Sequence, residues 1–168
     1  MPKSFKPRIT PYWLLGFVEG EGSFIVRKDN YKLIFTLTQS YRDLSLMESI
    51  KEFLYNLPFV DKNNMDKTNI SITTFKESTV INPIVRLTIV KTDFIKFVII
   101  PLFNSLTWRS KKELDFQDWI TVLKLKERGH NHQKEGISII NLIINQMNNN
   151  RLSTNQSGSK LDRNQLYL

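Results

Sequence analysis

The sequence predicts an α+β fold of order α-β-β-α-β-β-α with further helices toward its C-terminal end, and three patterns carry that reading. An apolar helical stretch comes first. Two pairs of segments follow in which apolar and polar side chains alternate with period two, each pair separated by turn residues. A stretch with helical period stands between the pairs. Two hairpins connected in this way form a four-stranded antiparallel sheet, with helices on its apolar face and a wide polar face left open.

The first helix carries Tyr12-Trp13-Leu14-Leu15-Gly16-Phe17-Val18-Glu19-Gly20-Glu21-Gly22-Ser23-Phe24. Glycine inside a helix costs about 1 kcal/mol relative to alanine. Gly16 and Gly20 stack on one face by their i, i+4 spacing, so another backbone is expected to approach closely there. Two carboxylates, Glu19 and Glu21, end the run. The plainer alternative is an apolar helix closed by Gly22 in a left-handed conformation, with both carboxylates solvated.

Phe24 and Val26 then alternate with Ser23, Ile25, Arg27 and Asp29, Asp29-Asn30 makes a turn, and Leu33, Phe35 and Leu37 oppose Lys32, Ile34, Thr36 and Thr38. From Asp43 the pattern becomes helical through Leu46, Met47, Ile50, Phe53, Leu54 and Leu57, and Pro58 closes it. In the second hairpin Asn69, Ser71 and Thr73 alternate with Ile70 and Ile72, and Ile84, Arg86 and Thr88 with Val85, Leu87 and Ile89. Its loop is expected over 76–79, with Pro83 limiting where the fourth strand begins. Further helices are expected at 93–106, 115–127 and 136–148.

At 168 residues, one domain is the working count, large enough to bury a core without disulfides or a structural metal. The 24 Lys and Arg exceed the 16 Asp and Glu, for a net charge of +8. That balance points to a polyanionic partner. No segment reaches the roughly 18 uninterrupted apolar residues of a membrane span, and no strongly basic amphipathic helix is evident, so nucleic acid is preferred to a membrane surface. The absence of cysteine excludes zinc fingers, disulfide frameworks and thiol nucleophiles. Alanine is absent too, and Ile, Asn, Lys and Phe abound, a usage that fits an AT-rich coding sequence such as those of organelle genomes.

The polar sheet face has the width of a DNA groove, where Arg and Lys read guanine edges and Thr or Asn serve several bases. The candidate contacts are Ile25, Arg27, Lys32, Ile34, Thr36, Asn69, Ser71, Thr73, Arg86 and Thr88. The letters His130-Asn131-His132 follow Gly129 and resemble a nuclease signature, but they fall together in one short connection without a carboxylate constellation. A link between helices accounts for them.

The string Leu14-Leu15-Gly16-Phe17-Val18-Glu19-Gly20-Glu21-Gly22, followed by Ser-Phe, resembles the motif of the LAGLIDADG homing endonucleases. The resemblance extends over residues 11–151, through Gln39 at the end of Phe35-Thr36-Leu37-Thr38-Gln39, through Pro101-Leu102 and Lys112-Glu113-Leu114-Asp115-Phe116, and through Trp119, Glu135-Gly136 and Met147 to Arg151. It looks most like the fungal mitochondrial intron-encoded members with a single motif. The usual acidic pair of the family is Asp-x-Asp, and here it is Glu19-Gly20-Glu21.

The resemblance implies the LAGLIDADG fold with a DNA-binding sheet, and an enzyme that hydrolyses DNA phosphodiesters with Mg²⁺ or another divalent cation. It implies Glu21 and the Gly20 carbonyl as metal ligands, and Glu21, Gln39 and Lys112 as catalytic residues, with Lys111 a neighbour able to take the lysine's place. It further implies Leu14, Gly16, Phe17 and Gly20 at a dimer interface. One motif supplies half a site, so the expected assembly on a near-palindromic double-stranded DNA is a homodimer, or one half of a split heterodimer. The alternative is an RNA-binding intron maturase, or a non-catalytic ribosome-associated protein on the same fold. A mitochondrial, organelle-encoded origin is expected, since Pro2 and Pro7 interrupt any targeting helix in the basic leader 1–10. Residues 11–151 form the expected domain and 152–168 a polar, flexible tail.

Overall fold

The computed structural model describes residues 8–76 and 82–147. The expected tail, most of the leader and all but Lys76 of the expected second hairpin loop lie outside the described residues. The elements are α1 (Pro11–Glu21), β1 (Gly22–Val26), β2 (Leu33–Ser40), α2 (Leu44–Tyr55), β3 (Ser71–Phe75), β4 (Ile84–Ile89), α3 (Thr92–Phe94), α4 (Ile100–Asn104), α5 (Lys112–Glu127) and α6 (Lys134–Gln146). The four strands make one sheet of order β1-β2-β4-β3, so the α+β class and the four-stranded sheet are as the sequence predicts. The chain divides into two compact units. One combines Met1–Ser23 with Phe35–Thr107, the other Phe24–Ile34 with Trp108–Leu168.

In the first unit, α1 starts where the Thr10 hydroxyl oxygen accepts a hydrogen bond from the Trp13 N–H at 3.1 Å, with Pro11 at a position whose N–H needs no partner. Leu14, Leu15 and Val18 are buried, and α1 packs on α4. The helix passes into β1 without a loop. Gly22 is extended (φ −81°, ψ 154°) rather than left-handed, and its N–H donates to the Val18 carbonyl. A methyl group on Gly22 would lie 2.8 Å from that oxygen and 2.9 Å from Val18 Cγ1. Glycine is therefore required by space here, a role the sequence pattern did not reveal.

β4 pairs antiparallel with β2 and with β3, which sets residues in rows across the three strands. Thr36, Thr88 and Ser71 form one row, Thr38, Arg86 and Thr73 the next, and Ser40, Ile84 and Phe75 a third. The alternate residues face the other way, where Phe35, Leu37, Val85, Leu87 and Ile89 are buried and α2 packs through Met47, Ile50 and Leu54. The strands fall where the alternation is expected, except that β1 stops before Arg27, β2 starts after Lys32, and Asn69 and Ile70 precede β3. β3 begins at Ser71, and Asn69 closes a 3₁₀ turn, its side-chain oxygen accepting from the Asp66 N–H at 3.2 Å while Asp66 caps the turn through Thr68. That capping chemistry outcompetes strand pairing for an Asn three residues from an Asp.

A second departure is in the helix expected at 93–106. Residues Ile95–Ile99 form a π-helical turn between α3 and α4, with the Ile100 N–H donating to the Ile95 carbonyl five residues back. Pro101 follows at once, lacks an N–H and forbids the ordinary ladder at that point.

The second unit is built on aromatic packing. Phe24 on β1 lies 5.1 Å from Trp119, 5.2 Å from Phe116 and 6.0 Å from Trp108, centroid to centroid, and Trp108 stacks on Phe116 at 4.9 Å. The Trp119 indole N–H donates to the Ile25 carbonyl at 2.9 Å, tying α5 to the strand. The hairpin arms meet through the Arg27 N–H and the Lys32 carbonyl. The turn is wider than Asp29-Asn30 alone, because Tyr31 adopts φ 57°, a left-handed conformation unusual for an aromatic residue. The Tyr31 N–H donates to the Arg27 carbonyl at 2.8 Å, and two further bonds come from the helices. Lys126 of α5 donates to the Tyr31 carbonyl at 2.8 Å and the Tyr31 hydroxyl donates to the side-chain oxygen of Asn141 on α6 at 3.1 Å. His130–His132 form a 3₁₀ turn after left-handed Gly129, consistent with a connection between helices.

Two measurements follow from this packing. Gly22→Ala must push against backbone, and a loss of about 1–3 kcal/mol in urea unfolding is expected; unchanged stability would show that the α1–β1 junction yields. Burial pushes the Lys126 ammonium below the ordinary lysine range, and the charge of Lys32 pushes it the same way. The unfolded chain then binds this proton more tightly, so stability rises with pH from the lowered folded value up to the ordinary one. Unfolding of wild type and Lys126→Met at about pH 8 and about pH 10 should show the difference moving in favour of wild type at the higher pH. A constant difference would remove the linkage.

Candidate functional site

The C-terminal end of α1 concentrates negative potential. Glu19 and Glu21 fall in its last turn, which has no basic residue, at the pole where a helix already carries about half a negative charge. Acidic residues there work against helix stability, so a cation is the natural complement. Glu21 is exposed, and among the described residues no hydrogen bond or ion pair engages its carboxylate. The Val18 carbonyl is taken by Gly22, whereas the carbonyls that follow lie past the last intrahelical bond. The Gly20 carbonyl and the Glu21 carboxylate are both hard oxygen donors of the type Mg²⁺ prefers. The donor set fits a divalent cation but is too small to hold one alone. Among the described residues no group of three or more His, Asp or Glu gathers at any point.

The outward side of α1 is unusual. Gly16 and Gly20 are exposed, and an added Cβ at either would meet nothing within 4 Å. Trp13 and Phe17 stack at 5.5 Å beside them, both half-buried, and Tyr12 is 59% exposed. Leu14 does not share this surface. It is 1% exposed inside its own unit, which corrects its expected place at a dimer interface: on a helix, residues two apart from Gly16 point away from it.

Gln39 lies on β2 opposite Val85, in the rows facing away from Arg86 and the threonines. Lys112 is the first residue of α5 and half-buried, three residues earlier than the helix start the sequence suggested, and its N–H donates to the Ser110 hydroxyl at 3.4 Å. Glu21, Gly20 and Gln39 belong to the first unit and Lys112 to the second. Lys111 is exposed. A cation at the start of a helix opposes the dipole, so helix stability does not explain this lysine.

The candidate contact residues divide in the same way. Thr36, Ser71, Thr73, Arg86 and Thr88 are brought together on one face of β2, β4 and β3 in the first unit. Asn69 stands outside that strand and spends its side-chain oxygen on Asp66. Ile25, Arg27, Lys32 and Ile34 lie on the hairpin of the second unit. Arg27 is chelated by Asp29, with Nε to Oδ1 at 3.1 Å and Nη2 to Oδ2 at 2.7 Å. No helix among the described residues is long and apolar enough to cross a membrane.

The sequence profile described as LAGLIDADG endonuclease matches residues 14–123, running from the first motif residue into α5. The chain belongs to the LAGLIDADG endonuclease family. Among curated relatives, it is 32% identical to the mitochondrial protein RF1 of Saccharomyces cerevisiae over 91% of this chain and 34% of that protein. It is 26% identical to Probable intron-encoded endonuclease 3 of Neurospora crassa over 81% of this chain and 24% of that protein. Among solved structures, the I-LtrWI LAGLIDADG homing endonuclease bound to target DNA superposes with a TM-score of 0.69 at 26% identity, over 90% of this chain and 48% of that one. The meganuclease I-SmaMI bound to uncleaveable DNA gives 0.67 at 28% identity, over 90% and 49%. The chain thus spans about half the length of these solved endonucleases and about a third or less of these curated relatives.

Within this LAGLIDADG chain, Thr38, placed by sequence on the polar side, and Phe75 are not among the candidate contacts that the sequence suggested. Thr38 alternates in phase with Thr36 and could have been included on that ground. Phe75, 38% exposed, carries no polar signal, and only the strand register places it beside Arg86. Tyr12 and Trp13 were likewise hidden, because an aromatic residue in an apolar run reads as core.

Proposed function

We propose that this chain is a site-specific DNA endonuclease that makes Mg²⁺-dependent double-strand cuts in a long, near-palindromic target as a homodimer, and that it serves intron homing in fungal mitochondria. The observation that carries the proposal is the end of α1. An exposed glycine face leads directly to the Glu21 carboxylate and the Gly20 carbonyl, hard oxygen donors that make up part of a cation site. Two copies joined along Gly16, Phe17 and Gly20 would bring two such ends together on a two-fold axis. The mitochondrial setting is supported by the relative in S. cerevisiae, and DNA as partner by the target DNA bound to the solved relatives together with the net charge of +8.

In this reading Glu21 and the Gly20 carbonyl hold the cation against the scissile phosphate. When bound, the cation supplies Lewis-acid stabilisation of charge on the phosphate oxygens. The Gln39 amide orients the attacking water, and the Lys112 ammonium faces developing charge or perturbs that water. The hairpin residues Ile25, Arg27, Lys32 and Ile34 and the sheet residues Thr36, Ser71, Thr73, Arg86 and Thr88 contact the duplex. A split heterodimer would use the same surfaces with a different second chain.

Glu21→Gln should abolish Mg²⁺-dependent cleavage, leave DNA binding in place, and stabilise the free protein by about 0.3–1 kcal/mol at low salt, because a charge leaves the negative pole of the helix. Cleavage assays, band shifts and thermal unfolding on the same preparation check all three. A variant that still cuts would exclude Glu21 as the metal ligand. For Gly16→Ala, the unpartnered helix gains up to about 1 kcal/mol while close approach of a second copy is obstructed. Higher Tm with weaker self-association in sedimentation is the expected pair of results, and wild-type protein that stays monomeric on its DNA would remove the homodimer.

A further inference from the structure

We infer that Arg86 is the guanine-reading residue of the β2-β4-β3 face, aimed by Thr38 and Phe75, so that the target carries a guanine at one defined position in each half-site. The inference rests on the proposed DNA-binding function and adds to it which base is read and by which device.

The geometry is specific. Arg86 sits on the central strand of the three, between Thr38 and Thr73. Its Nε donates to the Thr38 hydroxyl at 3.2 Å, and its guanidinium carbon lies 5.2 Å from the centre of the Phe75 ring. A hydrogen bond at Nε and an aromatic ring beside the plane restrain the side chain at two points, which lowers the entropy lost when it engages a ligand. Because Nε is used, the two terminal nitrogens keep their donors for something outside the chain. Among the described residues no carboxylate is paired with Arg86, whereas the Arg27 guanidinium is already chelated by Asp29.

Two parallel donors from a guanidinium match the O6 and N7 acceptors of guanine in the major groove. The side chains around it lack this discrimination. Thr36, Thr88, Thr73 and Ser71 carry hydroxyls, which donate and accept and so tolerate several bases, and the Ser71 hydroxyl donates to the Thr88 carbonyl at 3.3 Å.

The test is selection of bound sites from a randomised duplex DNA library with Mg²⁺ withheld, read by sequencing. Wild type should enrich a site with guanine at one position per half. Arg86→Gln should lower that preference at least about tenfold and shift it toward adenine, whose N6 and N7 suit an amide, while other positions keep theirs. Thr38→Val should broaden the same position and Thr38→Ser should restore it. Arg86→Lys keeps the charge without the fork, and because a lysine still donates to guanine it is expected to bind DNA with the guanine preference reduced rather than abolished; it decides the matter if Arg86→Gln does not bind at all.

A guanine preference undiminished in Arg86→Lys, or retained in Arg86→Gln, would overturn the inference. So would uniform weakening over all sequences with a shallower salt dependence, which marks a phosphate contact. A wild type that enriches a site while the Arg86 variants leave it unchanged defeats this inference alone, whereas a wild type that enriches no site defeats the proposed function with it.

Discussion

The passage from α1 into β1 without a connecting loop is the constraint on which the first unit depends. Glu21 is the last residue of the helix and Gly22 the first of the strand. The turn is made by backbone lying directly on backbone, since a side chain at Gly22 would meet the Val18 carbonyl. The acidic residues are thereby held at the helix's negative pole. Replacing that junction by a flexible loop would let Glu21 wander, and a carboxylate that has to be ordered on binding contributes less than one already in place.

The polar and apolar faces of the first unit's sheet show how the period of a strand separates two kinds of chemistry. Along β2, Thr36 and Thr38 share a face with Arg86 and Thr88, while Gln39, one residue further, faces with Val85. A single chain segment thus serves the open face and the helix-covered face in alternation. The same economy governs α1, where Leu14, Leu15 and Val18 anchor the helix in the core and the glycines stay exposed. Dense packing on one side of an element is what allows its other side to be left incomplete, at a cost in stability that only a partner would recover.

In the second unit the turn of the first hairpin is held both by its own residues, with the Lys32 N–H donating to the Asn30 side-chain oxygen at 3.0 Å and the Tyr31 N–H to the Arg27 carbonyl at 2.8 Å, and by side chains from the helices. A left-handed Tyr31 costs on the order of 1–2 kcal/mol, and its carbonyl and hydroxyl are tied to Lys126 and Asn141. The lysine accepts partial burial to make its bond, at the expense of its proton affinity. Local strain held by tertiary bonds is usual where a loop must present side chains in a set orientation, and Arg27, Lys32 and Ile34 flank this turn.

The sequence by itself determined the period of the strands, the glycine spacing and acidic end of α1, and therefore the fold class and family. Each of these is a local pattern imposed by which side of an element meets the core. The tertiary structure alone decided which side of α1 is outward, burying Leu14 and leaving Tyr12 exposed and Trp13 half-buried beside the glycines, because a continuous apolar run gives no phase. Register alone brought Phe75 and Thr38 to Arg86, since cross-strand neighbours are distant in the chain. The withdrawal of Asn69 into a capping turn, the early start of α5 at Lys112 and the left-handed Tyr31 share one cause. In each a hydrogen bond outweighed the strand or helix period, made locally by Asp66 and Ser110 in the first two and by distant Lys126 and Asn141 in the third.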